Sequence, residues 1–487
     1  TCKMQKERLS WLVKAADAQW VVRPEDDPEI TWIAAKPDQI RPGCLYIELE
    51  PGTASRAAEM GAQAVIAPSL PVSPGYPCAK CEGDPYDAFC RIAAWYRRQF
   101  HTRLIAIAGG DGKTTVREML YRILSQGQKA SRSRWELTGD LGIPETLLGL
   151  DDGDRFAVVE MACTTRGSFK RLSKICRPSA AVITGVGSAH IGSFGSREEL
   201  LKERLSITDA MDGGDPVILC ADDPLLYDLN QYVNGDILYY GIETPCDVTG
   251  KIVSEDRDGT VMDITSYGRT TRVNLRLPGR GSCYDALAAY AAAELMGASI
   301  DDIRYVLEAF RPLPGRLQLL RASNGALIIN DCWTSSPESV AEAAAYFAKF
   351  EGQRKIVVLG EMEDLGGYAV RAHFEAGQQM ASAGAELLLA TGPHAEDIAS
   401  GAAAHSPTRV QTFPDARSIA GYLRTDRRPG DVVLFKAGRE SRFEQIISHV
   451  YHDKELTPLA GEPEWRRKKP KPGKLRDVRD SRKEGDG

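Results

Sequence analysis

A glycine-rich turn between an apolar run and an amphipathic segment is the feature that most constrains how this chain folds. The apolar run covers residues 104–108, and the turn reads Gly109-Gly110-Asp111-Gly112-Lys113-Thr114-Thr115. Apolar residues then recur at helical spacing over 116–124. A phosphate-binding loop requires this order of strand, turn and helix, because glycines let backbone N–H groups converge on an anion and the helix dipole favours it.

The polar residues of the turn predict a nucleotide site. Lys113 is expected to contact the β- and γ-phosphates, and the Thr114 hydroxyl to join the shell of a Mg²⁺ ion. The eight-residue form of the motif has glycine where this chain has Ile107, so the match is to a shorter version. We therefore predict nucleotide binding by Gly109, Gly110, Asp111, Gly112, Lys113, Thr114 and Thr115.

Apolar runs and helical segments alternate along most of the chain, which favours an α/β fold. Four-residue or longer apolar stretches at 104–108, 180–183 and 216–219 are typical of buried parallel strands, and the pattern resumes at 327–329, 355–359, 387–389 and 432–435. With 487 residues the chain is too long for one core. We predict an N-terminal domain over 1–99, a central domain with a parallel sheet over 100–315 and a Rossmann-like domain over 316–460.

Composition excludes several classes of protein. The net charge of −6 argues against nucleic-acid binding, and no apolar run is long enough to span a membrane. Eleven scattered cysteines suit a reducing compartment, so a cytoplasmic location is expected. Cys78 and Cys81 have a metal-site spacing but lack two further ligands nearby, so the favoured interpretation is ordinary cysteines in a loop.

The last segment covers residues 461–487, and after Trp465 its composition becomes rich in lysine and arginine. We predict a disordered, solubilising tail, with an electrostatic contact to an acidic partner as the alternative.

The chain resembles the Mur ligase family in several separated motifs that occur in the family's order. Beyond the loop itself, these are Gly142-Ile143-Pro144-Glu145-Thr146, Val159-Glu160-Met161, Ser188-Ala189-His190, Leu277-Pro278-Gly279-Arg280 and Pro314-Gly315-Arg316. In the third domain, Gly360-Glu361-Met362-Glu363-Asp364-Leu365-Gly366 and His373 resemble the branch that adds D-alanyl-D-alanine.

The resemblance implies a three-domain ligase that joins a small-molecule carboxylate to an amine. The N-terminal domain would hold the acyl substrate, the central domain ATP, and the third domain the amine. ATP would convert the carboxylate into an acyl phosphate, which the amine then attacks. Thr114, Glu160 and His190 are implied as Mg²⁺ ligands, Lys113 and Arg316 as phosphate-contacting residues, and Asp331 as the ribose contact.

Each of these residues also has a plainer interpretation. Glu160 could be a surface carboxylate, His190 a packed core residue and Arg316 a surface or hinge arginine.

Several positions to which the resemblance assigns a binding role depart from the family pattern. Arg204 stands where the family has a carbamylated lysine that helps to hold a second Mg²⁺, and a guanidinium cannot present a carbamate. Lys202 is two residues out of register. Asp285 replaces one asparagine near the adenine and Gly185 replaces another asparagine, while the uridine-binding Asp-Ser-Arg is lost around residues 34–38.

Three functions follow from this mixture of retained and altered positions. The preferred one is an active ligase with a non-standard substrate. The second is addition of D-alanyl-D-alanine to a UDP-muramoyl tripeptide in peptidoglycan precursor synthesis. The third is a nucleotide-binding pseudoenzyme or scaffold. The oligomeric state is not predicted.

Overall fold

Three β-sheets follow one another along the chain in the computed structural model, which describes residues 3–133, 141–162, 165–351, 353–404, 407–452 and 456–459. The predicted tail over 461–487 and its alternative acidic contact lie outside the described residues. The α/β prediction is confirmed, with three mixed sheets rather than parallel sheets alone.

The first sheet has six strands in the order β1-β3-β4-β5-β6-β2, parallel at its centre and antiparallel at both edges. Its elements are β1 Lys3–Arg8, α1 Leu9–Ala15, β2 Ala18–Val22, β3 Glu29–Ala34, β4 Leu45–Ile47, α2 Ala54–Glu59, β5 Ala64–Ala67, β6 Cys78–Cys81 and α3 Pro85–Arg97.

The loop predicted around Cys78 and Cys81 is wrong, because these two residues bound strand β6. Residues three apart in a strand point to opposite faces. Cys78 accordingly packs in one apolar cluster with Tyr46, whereas Cys81 packs in another with Phe89. The two thiols therefore serve as core side chains on different faces of the sheet.

The second sheet has nine strands in the order β15-β14-β13-β12-β11-β10-β7-β9-β8. Its elements are β7 Arg103–Ala108, α4 Lys113–Leu124, β8 Ala130–Arg132, α5 Gly142–Leu148, β9 Phe156–Glu160, α6 Ser168–Cys176, β10 Ala180–Ile183, α7 Ile191–Phe194, α8 Arg197–Leu205, β11 Pro216–Cys220, β12 Asp236–Gly241, β13 Val248–Glu255, β14 Thr260–Ser266, β15 Arg269–Leu275, α9 Arg280–Leu295 and α10 Ile300–Ala309.

The predicted parallel strands form the centre of this sheet, and β7, β9 and β10 are buried along almost their whole length. Sequence analysis missed the antiparallel extension β13-β14-β15. Its strands alternate buried and exposed positions because one face is solvated, so they carry no continuous apolar run.

The third sheet has seven strands in the order β20-β19-β18-β21-β17-β16-β22, parallel from β20 to β17. Its elements are β16 Gln318–Arg321, β17 Leu327–Asp331, α11 Pro337–Ala348, β18 Lys355–Leu359, α12 Ala369–Ser382, β19 Leu387–Thr391, α13 Ala395–Ala403, β20 Arg409–Phe413, α14 Ala416–Asp426, β21 Val432–Lys436, α15 Glu444–Tyr451 and β22 Thr457–Pro458. The carboxyl ends of parallel strands are where open α/β sheets place ligands.

No helix among the described residues is long and apolar enough to cross a membrane.

Candidate active site

The glycine turn connects β7 to α4 and has a backbone that only glycine fits. Gly112 has φ +82° and immediately precedes Lys113, the first residue of α4. A Cβ atom at Gly112 would lie 2.0 Å from Oδ1 of Asp285, and one at Gly109 would lie 2.1 Å from Oγ1 of Thr184. The turn therefore opens onto the N-terminus of a twelve-residue helix, which is the geometry of an anion site.

The Lys113 ammonium folds back over this turn. Its Nζ donates to the carbonyl oxygens of Gly109 and Gly110, at 3.1 and 2.7 Å. Burial lowers the pKa of Lys113, and the nearby Glu160 carboxylate opposes that shift. The cation is thus held at the loop that would receive phosphate oxygens.

Thr114 and Glu160 meet at the carboxyl edge of the central sheet. The Thr114 hydroxyl lies 3.1 and 3.0 Å from the two carboxylate oxygens of Glu160. Glu160 is only 5% exposed and forms a 3.0 Å ion pair with the fully buried Arg117. The interpretation of Glu160 as a surface carboxylate is therefore wrong.

These two residues fit one Mg²⁺ ion by their chemistry. A hydroxyl and a carboxylate are hard oxygen donors of the kind that Mg²⁺ prefers. They are already adjacent, and only Oε2 of Glu160 is engaged by Arg117. Because Mg²⁺ keeps several waters, two protein donors are enough.

His190 lies at the same edge but in a different electrostatic setting. Its side chain is 40% exposed, so the packed-core alternative is wrong, and Nδ1 lies 3.3 Å from Oδ2 of Asp364 in the third domain. Burial and the neighbouring Lys113 lower the pKa of His190. The imidazole is neutral near pH 7 and keeps a lone pair.

The cavity that His190 faces does not fit a second Mg²⁺. Lys113 and Arg204 line the same space of about 310 Å³, so two cations already point toward it. Its carboxylate, Glu203, accepts the backbone N–H groups of Gly167 and Phe169 with its two oxygens. The predicted role of His190 as a metal ligand stays a prediction.

Arg316 crosses from the third domain to the loop. Its Nη2 donates a 2.7 Å hydrogen bond to Oγ1 of Thr114. The plainer interpretation of a surface arginine is wrong, since the guanidinium lies in the domain interface beside Glu160, Asp331 and Asp285.

Further polar contacts close the third domain over the central one. Ser336 donates to Asp111 and Ser188 donates to Glu338, both at 2.7 Å. Ser193 donates to Asp364 at 2.7 Å. The two domains are therefore in a closed arrangement around the loop.

A cavity of about 610 Å³ lies between the two closed domains, beside the glycine turn. Apolar walls come from Leu277, Pro278, Phe310, Pro312, Leu313 and Leu317. Asp331 lines it, accepting the Leu317 N–H at 3.1 Å and pairing with the buried Lys436 at 2.9 Å. A cavity that combines apolar walls with several polar side chains suits a nucleoside.

Two partly buried carboxyl groups in this cavity were missed as site residues by sequence analysis. Burial, with the nearby Glu342 charge, raises the pKa of Asp285 to about 8, and burial with Asp331 raises that of Glu342 to about 7. In the sequence, Asp285 stands out only because it replaces an asparagine of the family pattern. No motif around Glu342 predicts that it is a site residue. Sequence analysis missed Arg117 as well. Its position, three residues after Thr114 in a helix with a buried face, could have indicated that its charge lies beside the site.

The fold and this site define a class: a three-domain P-loop protein whose third domain closes over a phosphate-binding loop. Comparison with known proteins specifies it further. The profile of the Mur ligase middle domain matches residues 107–293, and that of the Mur ligase glutamate ligase domain matches 315–439. The chain belongs to the Mur ligase family of ATP-dependent ligases, as the sequence motifs predicted.

Three similar proteins illustrate this membership. The UDP-N-acetylmuramoyl-tripeptide–D-alanyl-D-alanine ligase of Synechocystis is 30% identical over 75% of this chain and 78% of its own length. The protein of that name from Bacillus subtilis is 29% identical over 81% of this chain and 86% of its own. The MurF ligase structure from Thermotoga maritima in complex with ADP superposes with a TM-score of 0.76 at 26% identity, covering 87% of this chain and 97% of that one.

Proposed function

We propose that this ligase adds D-alanyl-D-alanine to the terminal carboxylate of a UDP-N-acetylmuramoyl tripeptide, with ATP as the energy source. The closed arrangement carries the proposal, because Arg316 and Asp364 of the third domain reach Thr114 and His190 of the central domain. The names of the Synechocystis and Bacillus subtilis relatives support this substrate pair over the non-standard one favoured by sequence analysis alone.

The first step is phosphoryl transfer from ATP to the acyl substrate. A carboxylate oxygen attacks the γ-phosphorus, the bond from that phosphorus to ADP breaks, and an acyl phosphate forms. Lys113 and the turn N–H groups hold the phosphates, Arg316 stabilises charge on the transferred group, and Asp331 binds the ribose. Thr114 and Glu160 would hold Mg²⁺, which neutralises phosphate charge when it is bound.

The second step forms the amide bond. The amine nitrogen of the dipeptide, having lost one proton from its ammonium form, attacks the carbonyl carbon of the acyl phosphate. The carbon–oxygen bond to phosphate breaks, inorganic phosphate leaves, and the second amine proton is released. The third domain contributes Asp364 and the residues around it to the amine side of this closed site.

A second candidate, the same reaction on an acyl substrate without a uridine nucleotide, is favoured by one feature of the first domain. Around 34–38 the chain lacks the expected Asp-Ser-Arg, and Ala34 and Ala35 are buried. The Ala35 N–H is already taken by Oε1 of Gln39 at 3.1 Å. This segment therefore offers a uridine little besides Lys36 and Asp38.

The test is ATP-dependent phosphate release with UDP-N-acetylmuramoyl tripeptide and D-alanyl-D-alanine, followed by mass analysis of the product. We expect release that depends on both substrates and a product mass equal to their sum minus water. Lys113→Ala should abolish release, and unchanged turnover in that variant would contradict the proposal. Release only with acyl peptides that lack the uridine nucleotide would favour the second candidate. ATP binding without release under any pairing would favour a pseudoenzyme.

A further inference from the structure

We infer that Arg204 is an anion-binding residue of the active site, where its guanidinium holds the phosphoryl group in transit and takes the place of a second divalent cation. The inference rests on the proposed function for the identity of the transferred group, and it deepens that function by assigning a residue to the anion.

Among the described residues, Arg204 makes no ion pair with a carboxylate, and the charges of Asp111, Asp223 and Glu338 act on it only from a longer distance. The side chain lies near the end of α8 and is only 3% exposed. Its Nη1 and Nη2 atoms reach the carbonyl oxygens of Gly185 and Ala189 at 3.3 and 3.4 Å, which are long for hydrogen bonds. Within the described residues, no carboxylate lies within ion-pair distance of it. Because a buried charge is costly unless it is paired, this arrangement favours an anionic ligand.

The cavity in front of Arg204 identifies the class of that anion. Arg204 and Lys113 line the same small space, next to Gly109 of the phosphate-binding turn. The charge of Arg204 lowers the pKa of Lys113 and so disfavours its charged form. A group with two or more negative charges between them relieves both, and a planar fork of N–H donors matches phosphate oxygens. The phosphoryl group passing from ATP to the carboxylate has this charge and shape.

Two departures from the family pattern meet at this point of the structure. Gly185 stands in place of the family's asparagine, and its backbone carbonyl is one of the two contacts of Arg204. The guanidinium then supplies a fixed positive charge where a second metal ion has no free carboxylate. One Mg²⁺ at Thr114 and Glu160 is sufficient in this arrangement.

Phosphate binding tests the inference without any acyl or amine substrate. The full-length chain saturated with Mg·ADP is titrated calorimetrically with inorganic phosphate, and the variants Arg204→Gln, Arg204→Lys and Lys202→Gln are compared. Lys202 is the matched control because it lies on the same helix with its side chain 73% exposed. We expect phosphate affinity to fall about tenfold or more in Arg204→Gln, partly in Arg204→Lys and not in Lys202→Gln, with ADP affinity unchanged in all three.

Equal phosphate affinity in wild type and Arg204→Gln would overturn the inference, and so would wild type that binds no phosphate. A parallel loss of ADP affinity in Arg204→Gln and Arg204→Lys would assign a structural role instead. The number of Mn²⁺ ions bound in the presence of ADP, counted by electron paramagnetic resonance, gives a second readout. We expect one bound ion. Two bound ions would contradict the replacement of a metal ion by the guanidinium. If turnover with the proposed substrates fails while phosphate binding still depends on Arg204, only the substrate assignment is wrong.

Discussion

The guanidinium of Arg316 and the hydroxyl of Thr114 are 2.7 Å apart although 202 residues separate them in the chain. Thr114 is also the residue that meets Glu160, so this one hydroxyl connects the third domain to the predicted metal position. A hydroxyl has one proton and two lone pairs, and binding of Mg²⁺ by Thr114 would use a lone pair. The second lone pair can still accept the hydrogen bond from Arg316, so the guanidinium and a Mg²⁺ ion can use the same hydroxyl together.

Removing Arg316 should impair the chemical step more than nucleotide binding. We expect Arg316→Ala to lower kcat about 10²- to 10³-fold, because it removes a preorganised donor to developing charge. Arg316→Lys should recover only part of the lost kcat, since the lysine ammonium is a point charge and lacks the planar set of N–H donors of a guanidinium. Steady-state kinetics with ATP measures this, with the exposed Arg321→Ala as control. An equal fall in Arg321→Ala would refute a specific role for Arg316.

A single methyl group at Gly192 should block domain closure. A Cβ atom there would lie 2.7 Å from the Gly366 nitrogen and 2.7 Å from Oδ1 of Asp364, both in the third domain. We expect Gly192→Ala to retain ADP binding but lose most turnover, with a larger radius of gyration by small-angle X-ray scattering in the presence of nucleotide. Gly367→Ala, where a Cβ meets nothing within 4 Å, is the control. A wild-type scattering profile in Gly192→Ala would contradict this account.

The partly buried carboxyl of Asp285 should make the nucleotide-free protein less stable at alkaline pH. Its pKa is raised to about 8, from about 4 in an unfolded chain, so the folded state favours the protonated form. The associated stability is fully present below about pH 4 and is lost as pH rises toward 8. We expect the wild-type Tm to fall between pH 5 and 8.5, and Asp285→Asn to reduce this fall by about 3 °C or more.

Glu342 titrates in the same cavity with a pKa of about 7, so it contributes to the same fall. Glu342→Gln should act in the same direction as Asp285→Asn, and the exposed Asp38→Asn should leave the pH profile of Tm unchanged. A profile in Asp285→Asn that follows the wild type at every pH would show that this carboxyl is ionised in the folded state.

Arg117 should be required for stability as well as for the site. It is fully buried between Glu160 and Glu118, with both ion pairs at 3.0 Å. Arg117→Met leaves the buried Glu160 without its ion pair, whereas Glu118 keeps its pairs with Arg122 and Arg132. Breaking a buried ion pair in this way typically costs about 3–5 kcal/mol. Arg122→Met is the control on the same helix, because its pair with Glu118 is longer, at 3.6 Å, and its side chain is 21% exposed. Urea unfolding followed by circular dichroism distinguishes them, and equal losses would argue against the special burial of Arg117.

The parts of the fold predicted from sequence are those with continuous apolar runs or a turn that needs glycine. Strands β7, β10 and β18 and the loop before α4 met these conditions because parallel strands covered on both faces must be apolar throughout. The hairpin of β13 and β14 could not be recognised in this way, since one of its faces is solvated.

The site was predicted only as far as local patterns reach. Lys113, Thr114 and Glu160 lie next to strand ends and have a local signature, whereas Arg316 was found through its motif and a family resemblance. Asp364 was named only as a member of a third-domain motif, and Glu342 was not named at all, because the role of both depends on contacts between two domains. Contacts of that kind arise from tertiary packing and leave no periodicity in the sequence.

The closed interface has a consequence for how fast the enzyme can turn over. The contacts described between the central and third domains are made by serine, carboxylate, imidazole and guanidinium groups. Water can replace each of these polar partners when the domains separate, so breaking these particular contacts costs little free energy. The polar contacts themselves therefore set no large barrier to domain opening and to the release of products, the step that limits turnover in many enzymes.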